Sequence, residues 1–307
     1  MMDVLQLYNP QPTTPRVIAI VNGTYSFIHK SSNFRTLRQT YDVHKGRHLV
    51  KPYLIVAPDG YILAIQGPYF CDSRDNDAAF LQNDFEIDAK RMRHWFQEDD
   101  VVIVDRGYQD AVELLQRLGI VCKITAHLER GESQITTENA NALRIITKQR
   151  WVVEAQNGHI KSIFKFFDHV LQIRHIPDIG DFYRIAGAII NRYHPPLIIN
   201  DAKIELARCL IENKEDVNIV QALVEEENLH TRNAQRFQNA TKYQLWVAYR
   251  STAEEVEEEE ETTPIEGYYF TCKSGARTIG TCTHTTSVIL YIVYARHNED
   301  VHYPSSR

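Results

Sequence analysis

The chain has 307 residues, 43% of them hydrophobic and 24% charged, an ordinary globular composition that excludes a wholly disordered or collagen-like protein. Its net charge of −6 is misleading, because seven acids crowd into Glu254–Glu261 and the Lys and Arg residues nearly balance the acids outside that run. No apolar run approaches a membrane span, the first twenty residues carry no secretory pattern, and five scattered cysteines make no disulfide framework, so an intracellular, reducing compartment is expected.

Residues 1–15 hold three prolines and read as an extended lead-in. Arg16–Ile28 is rich in Val, Ile, Tyr and Phe and reads as a strand interrupted by the turn-like Asn22-Gly23. Between His29 and Lys51 lie six basic residues, Lys30, Arg35, Arg38, Lys45, Arg47 and Lys51, against the single acid Asp42. A phosphate backbone is a suitable partner for such a stretch, although charge alone favours a solvated basic loop. Leu49–Ala57 and Tyr61–Gln66 are apolar runs joined by Pro58-Asp59-Gly60, where proline presets the turn and glycine allows positive φ, so a hairpin is expected. Asn76 or Asp77 caps a helix that runs into the nineties. Val101–Val104 is fully apolar and ends at Asp105, as a buried strand does. Arg106-Gly107 turns the chain, a helix reaches about Leu118, and Ile120–Ile124 is the next strand, which makes a parallel α/β unit.

A long helix starts at Thr136 or Thr137. Ile145, Val152, Val153, Ile160, Ile163, Phe164 and Phe167 form its apolar side, while Arg150, Glu154, Asn157 and Lys161 share the polar one. Residues 176–250 are mostly helical, with a break at Pro195-Pro196 and a strand at Tyr243–Tyr249. Residues 251–266 form an acidic, low-complexity linker, and 267–307 a small α+β module. The expected architecture is α/β: a mixed sheet flanked by helices over 1–175, then a helical region, the linker and the terminal module.

Three early strands, a helix, a buried strand ending in Asp105 and a later helix carrying Glu154 make the pattern of an RNase H-like nuclease. Such a fold holds two Mg²⁺ ions with three converging carboxylates, because the ions clamp the attacking and leaving oxygens of a phosphodiester and need hard, charged oxygen ligands. Read alone, Asp105 is also the first residue of a polar turn, and Glu154 fits a solvated helix face beside Arg150 and Lys161. Further motifs come in order: Asn22-Gly23-Thr24-Tyr25, His44-Lys45-Gly46-Arg47, Val50-Lys51-Pro52, Gly67-Pro68-Tyr69-Phe70, Asn76-Asp77-Ala78, Val104-Asp105-Arg106-Gly107-Tyr108 and Arg150-Trp151-Val152-Val153-Glu154. Over residues 16–170 this order resembles the DDE endonuclease domain of PIF/Harbinger-type transposases. The resemblance implies an RNase H-like fold, Mg²⁺- or Mn²⁺-dependent DNA cleavage and joining, and a homo-oligomer on DNA in or near the nucleus. It also implies that Asp105 and Glu154 are metal ligands and that the first ligand belongs at position 22. The family carries Asp-Gly-Thr there; this chain has Asn22, whose amide oxygen brings no charge. Asp72, Asp75 and Asp77 are candidate substitutes, with Asp77 read as a helix cap.

The terminal module holds Cys272, Cys282 and His284 in a run that resembles a SWIM-type zinc module, Cys-x-Cys then Cys-x-His, with Phe270 in the first cysteine place. Three ligands remain of the four a structural zinc site needs, His297 is a candidate fourth, and a zinc-free hairpin suits the same residues. The chain begins about twenty residues before the first catalytic strand, so a separate N-terminal DNA-reading module is expected to be lacking. The leading functional expectation is a transposase-derived nuclease fold with a weakened metal site. A working metal-dependent endonuclease and a DNA- or protein-binding module without catalysis are the alternatives.

Overall fold

Strand β1 (Ile18–Gly23) is apolar at every position up to Val21 because both of its faces are covered. Ile18 and Ile20 enter one core and Ala19 and Val21 the other. The same alternation runs through β6 (Val101–Val104), where Val101 and Ile103 face the first core and Val102 and Val104 the second. Each such residue stabilises the fold by about 1.5–3 kcal/mol relative to exposure. This computed structural model describes residues 17–71, 76–87, 89–125, 134–197, 218–226, 245–249, 265–271 and 286.

Two compact units are present, Met1–Ala126 with Ile145–Arg208, and His127–Arg144 with Cys209–Arg307. In the first unit β4 (Arg47–Val56) is the longest strand and pairs antiparallel with β1, β5 (Ile62–Phe70), β2 (Ser26–Phe27) and β3 (Tyr41–Asp42). Strand β6 pairs parallel with β1 and with β7 (Val121–Ile124). Read across the sheet the order is β5, β4, β1, β6, β7, the mixed sheet expected of an RNase H-like fold. The β4–β5 hairpin turns as its sequence requires: Gly60 has φ +94°, its N–H donates to Ala57 O at 2.9 Å, and Ala57 N donates to Tyr61 O at 2.8 Å.

Helix α1 (Phe34–Thr40) starts at Asn33, whose side chain accepts from Thr36 N. The expected helix from residue 76 into the nineties is two, α2 (Asp77–Ile87) and α3 (Ala89–Trp95). A 3₁₀ turn, Arg106–Ala111, precedes α4 (Val112–Arg117). Together α2, α4 and this turn cover one sheet face through Phe80, Leu81, Phe85, Tyr108, Leu114 and Leu115. The other face is covered by α5 (Thr137–Ile163) through Val152, Val153 and Ile160, and by α6 (Ile179–Tyr193) through Ile179, Tyr183, Ala186 and Ile190. Helix α6 ends just before His194-Pro195-Pro196, at the expected break.

In the second unit β8 (Leu245–Tyr249) and β9 (Ile265–Phe270) form an antiparallel pair, with α7 (Ile219–Glu226) beside them. Asn218 donates to Tyr268 O, and Trp246 stacks on Tyr269 at 5.3 Å. Cys209, Cys272, Cys282, His284, His297, Asp72, Asp75 and the acidic run lie outside the described residues. No described helix is long and apolar enough to cross a membrane. Cys71 and Cys122 are free.

Candidate active site

The register of β1 against β6 sets the site. Asp100 is buried, and its carboxylate accepts from Val17 N and Gln97 N, both at 2.7 Å, which fixes where the two strands start together. From there Ile18 pairs with Val101 and Val21 with Val104, so Asn22, still paired with Leu54 of β4, and Asp105 are the next residues on the two strands at the far end of their pairing. Both continue the alternation of Ile18, Ile20, Val101 and Ile103, the residues that face α5.

Helix α5 brings Arg150 and Glu154 to that place. Arg150 Nη1 lies 3.1 Å from Asp105 Oδ1, and Nη2 lies 3.0 Å from Glu154 Oε1. One guanidinium therefore joins the two expected carboxylate ligands, and its side chain is only 12% exposed against 56% for Glu154. Asp105 Oδ1 also accepts from Arg106 N at 2.6 Å and so caps the 3₁₀ turn. The polar side of α5 is thus not a solvated face: Arg150 turns inward, and Lys161 Nζ donates to Tyr25 O at 2.8 Å. Burial holds the Lys161 pKa below the usual lysine value, partly opposed by Asp168.

A further carboxylate approaches from the other layer. Asn76 caps α2 by accepting from Ala79 N at 2.8 Å, which frees Asp77 from the capping role. A Cβ on Gly23 would lie 3.3 Å from Asp77 Oδ2, and one on Gly107 would lie 3.8 Å from it. Asp77 therefore occupies the notch between the residue after Asn22 and the turn after Asp105. Burial raises its pKa; Lys51 works against this, and Asp105 and Asp42 reinforce it. Lys51 Nζ lies 3.2 Å from Asp42 Oδ2 and 4.0 Å from Asp77 Oδ1. Burial would lower the Lys51 pKa, but Asp77, the Cys71 thiol and Asp42 together hold it above its ordinary value. Tyr108 is 1% exposed and its hydroxyl has no hydrogen-bond partner among the described residues. Burial, with the charges of Asp77 and Asp105, pushes the Tyr108 pKa well up against the opposing pull of Arg150.

The basic stretch divides. Lys51 belongs to the Asp42–Asp77 pairings just described. Lys45 Nζ sits 5.0 Å from the Tyr25 ring centre and Lys161 Nζ 4.5 Å from the same ring. Arg47 lies 4.0 Å above Phe27, whose ring is 5.1 Å from that of Tyr25. This makes an aromatic pair bracketed by three cations, three to five residues beyond Asn22 in the chain. Lys30 lies just before α1, and Arg35 and Arg38 lie in it. Sequence reasoning missed Lys161, Tyr25, Phe27 and Tyr108 as members of the site; the helical spacing of Lys161 from Glu154, two turns along one face, was the available signal for the first of them.

A family model of the DDE superfamily endonucleases matches residues 21–191, more than half of the chain. The chain belongs to this family. No curated protein and no solved structure matches it. DDE superfamily endonucleases act on DNA with divalent metal ions, so the donors are to be compared with the needs of such an ion. Asn22, Asp77, Asp105 and Glu154 are all hard oxygen donors, the chemistry Mg²⁺ and Mn²⁺ require. The orphaned Tyr108 hydroxyl marks a polar position that a water on an ion can satisfy. Among the described residues, however, no three His, Cys, Asp or Glu side chains are grouped closely enough to hold a metal by themselves. The donor chemistry fits such an ion, and Asn22 is the one donor of the four without a charge.

Proposed function

We propose that this DDE superfamily member is a transposase-derived protein of the PIF/Harbinger type that binds DNA across the end of the sheet, with a divalent-cation site too weak for efficient cleavage. The observation that carries this reading is Asn22, a neutral amide one residue beyond the Val21–Val104 pair as Asp105 is on the neighbouring strand, at the place where the family resemblance puts a charged ligand. Asp105 and Glu154 are the residues that would hold the ion, and Asn22 adds a neutral oxygen. When bound, Mg²⁺ or Mn²⁺ supplies Lewis-acid stabilisation of charge on the phosphate oxygens. Lys45, Arg47 and Lys161 hold phosphates beside the site, and the Tyr25–Phe27 pair offers a face for an unstacked base. The protein acts in the nucleus, where its DNA is, and as an oligomer. A zinc-bearing SWIM-like module at Cys272, Cys282 and His284 would add a second DNA or partner contact.

The Arg150 bridge favours a second reading, DNA binding without catalysis, because the guanidinium already supplies positive charge between Asp105 and Glu154.

One experiment separates these. Binding of the whole chain to duplex DNA is measured over a salt series, with supercoiled-plasmid nicking in Mg²⁺ and Mn²⁺ alongside. The proposal expects salt-dependent binding whose slope falls by up to roughly 3 when Lys45, Arg47 and Lys161 are all changed to Ala. It also expects weak nicking that disappears in Asp105→Asn. Binding with no metal-dependent nicking at all selects the non-catalytic reading. Strong wild-type nicking abolished by Asp105→Asn overturns the weakened site, and binding indifferent to salt overturns the DNA surface.

A further inference from the structure

Helix α5 has a second polar cluster that the sheet-end site does not use. Gln156 follows Glu154 by two residues and so points about 200° away round the helix. His159 shares the side of Gln156, three residues on. The partner of His159 is His194, at the end of α6, with ring centres 5.1 Å apart. His194 is firmly placed: its N–H donates to Ile190 O at 2.9 Å, and its backbone is extended, as a following proline requires. Two ties fix this end of α6 to the β4–β5 hairpin. The Asn191 side chain bonds both the N–H and the C=O of Ile62, and Leu197 N donates to Asp59 O at 3.0 Å. The hairpin turn follows Val56, whose partner is Ile20, so it lies toward the start of β1 and away from Asn22.

Packing alone leaves this cluster unsatisfied. Edge-to-face rings at such a distance are ordinary. Yet His159 Nδ1 and Gln156 Oε1 are both buried, and neither has a hydrogen-bond partner among the described residues. Gln156 is only 2% exposed. It lines a cavity of about 50 Å³ together with His194, Gly60, Tyr61 and Leu197. About 10–15 Å³ of such space holds one water, so there is room for an ion with a water on it. Buried polar atoms nearly always have a partner, and a ring nitrogen and an amide oxygen left without one are both metal-ligating atoms. The ring spacing agrees. Each imidazole nitrogen lies about 2.0–2.1 Å from a zinc ion, which puts the centres of two rings on one tetrahedral ion about 5 Å apart.

We propose that His159, His194 and Gln156 bind one Zn²⁺ ion, with water in the fourth position, and that the ion clips α5 to the end of α6 and the hairpin. Two imidazoles and one neutral oxygen select zinc, nickel or copper over Mg²⁺, which takes oxygen ligands. The site is therefore separate in place and in chemistry from the oxygen donors around Asp105.

The test is Zn²⁺ titration calorimetry on the untagged whole chain, with Mg²⁺ in large excess to occupy oxygen sites. Wild type is compared with His159→Ala, His194→Ala, Gln156→Glu and the double variant Cys272→Ser with Cys282→Ser. One site should weaken at least about tenfold in each histidine variant, since losing even an outer partner of a ligand costs 10–100-fold. The same site should be unchanged in the cysteine variant. Gln156→Glu puts a charged oxygen in the same place and should tighten it on the order of tenfold. No gain in Gln156→Glu overturns the three-ligand site. Losses confined to the cysteine variant, or no Zn²⁺ uptake by the wild type, overturn the proposal; the second means that the cavity holds water only. Neither touches the nuclease-derived reading, which uses neither histidine. A measurement on the wild type alone guards against misfolded variants. Cu²⁺ takes the same nitrogen and oxygen ligands, and with ascorbate and oxygen it oxidises the histidines that hold it, which peptide mass spectrometry maps. Oxidation at both His159 and His194 supports the proposal, and any other pattern overturns it.

Discussion

Asn22→Asp is expected to raise the rate of Mn²⁺-dependent nicking by at least tenfold over wild type. The substitution exchanges an NH₂ for an oxygen with the same branching, so β1 and its pairing with β4 and β6 accept it without steric cost. The electrostatic gain is larger. A unit charge about 4 Å from a divalent cation, at an effective dielectric near 20, is worth about 8 kcal/mol. Arg150 and the cation's waters take up part of that, which leaves a gain of about 1.4 kcal/mol, or tenfold, as the lower end. The same charge has a cost without metal. The new carboxylate would stand beside Asp105 and close to Asp77, so the metal-free variant should melt below wild type and regain stability as Mn²⁺ is added. Nicking is compared with Asp105→Asn as the blank, and melting is followed with and without Mn²⁺. A variant no more active than wild type, and no more stabilised by Mn²⁺, would show that position 22 does not face the ion.

Asp84→Ala should be the most damaging single change in the first unit outside its apolar core. Asp84 accepts from both the Tyr53 and Tyr69 hydroxyls, and Tyr53 is buried. Tyr53 and Tyr69 also stack at 6.1 Å, and Tyr69 stacks on Phe80 of α2 at 4.5 Å. Removing the carboxylate leaves two phenols without their acceptor, at about 1–3 kcal/mol each, so a total of about 2–6 kcal/mol is expected. For a unit of this size that lowers Tm by roughly 4–24 °C. Combining Asp84→Leu with Tyr53→Phe and Tyr69→Phe should recover much of the loss, because apolar replacement of all the partners leaves no orphan. The change also loosens the start of α2. A melting curve indistinguishable from wild type would mean that the phenols find other acceptors.

The central strands were readable because burial on both faces leaves no alternation to decode: Val101–Val104 is a plain apolar run, and its end at Asp105 places that residue. The hairpin at Pro58-Asp59-Gly60 was readable because its turn chemistry is local. What lay on the polar side of α5 was not. Periodicity puts Arg150, Glu154, Asn157 and Lys161 on one side of a helix, but it is silent on what that side meets. Here it meets strand ends, so Arg150 turns onto Asp105 and Lys161 onto Tyr25 O. Asp77, a candidate substitute in the sequence, reads there as a helix cap for a related reason. Asn76-Asp77 offers two good capping residues, and local preference cannot say which takes the role. The choice is made by Asp84, Tyr53 and Tyr69, partners far apart in the chain, which set how α2 lies on the sheet. Lys51 likewise reads as one more cation in a basic stretch until Asp42 and Asp77 are seen beside it.

The dipeptide Asn22-Gly23 carries a chemical liability that the sheet restrains. In a loose chain the nitrogen of a glycine attacks the preceding asparagine side chain, ammonia leaves, and the resulting ring opens to aspartate or isoaspartate. The folded protein holds both residues in strand pairing, Asn22 opposite Leu54 and Gly23 opposite Tyr53, and an extended backbone so fixed is slow to bring the attacking nitrogen onto the amide carbon. Folding therefore preserves the amide. Ageing of unfolded material would convert it, in part, into the very carboxylate the site lacks. Intact-mass measurements on native and urea-treated protein, stored side by side, should show ammonia loss at this dipeptide in the treated sample first. Old or partly denatured preparations, once refolded, would then nick DNA faster than the fresh protein does.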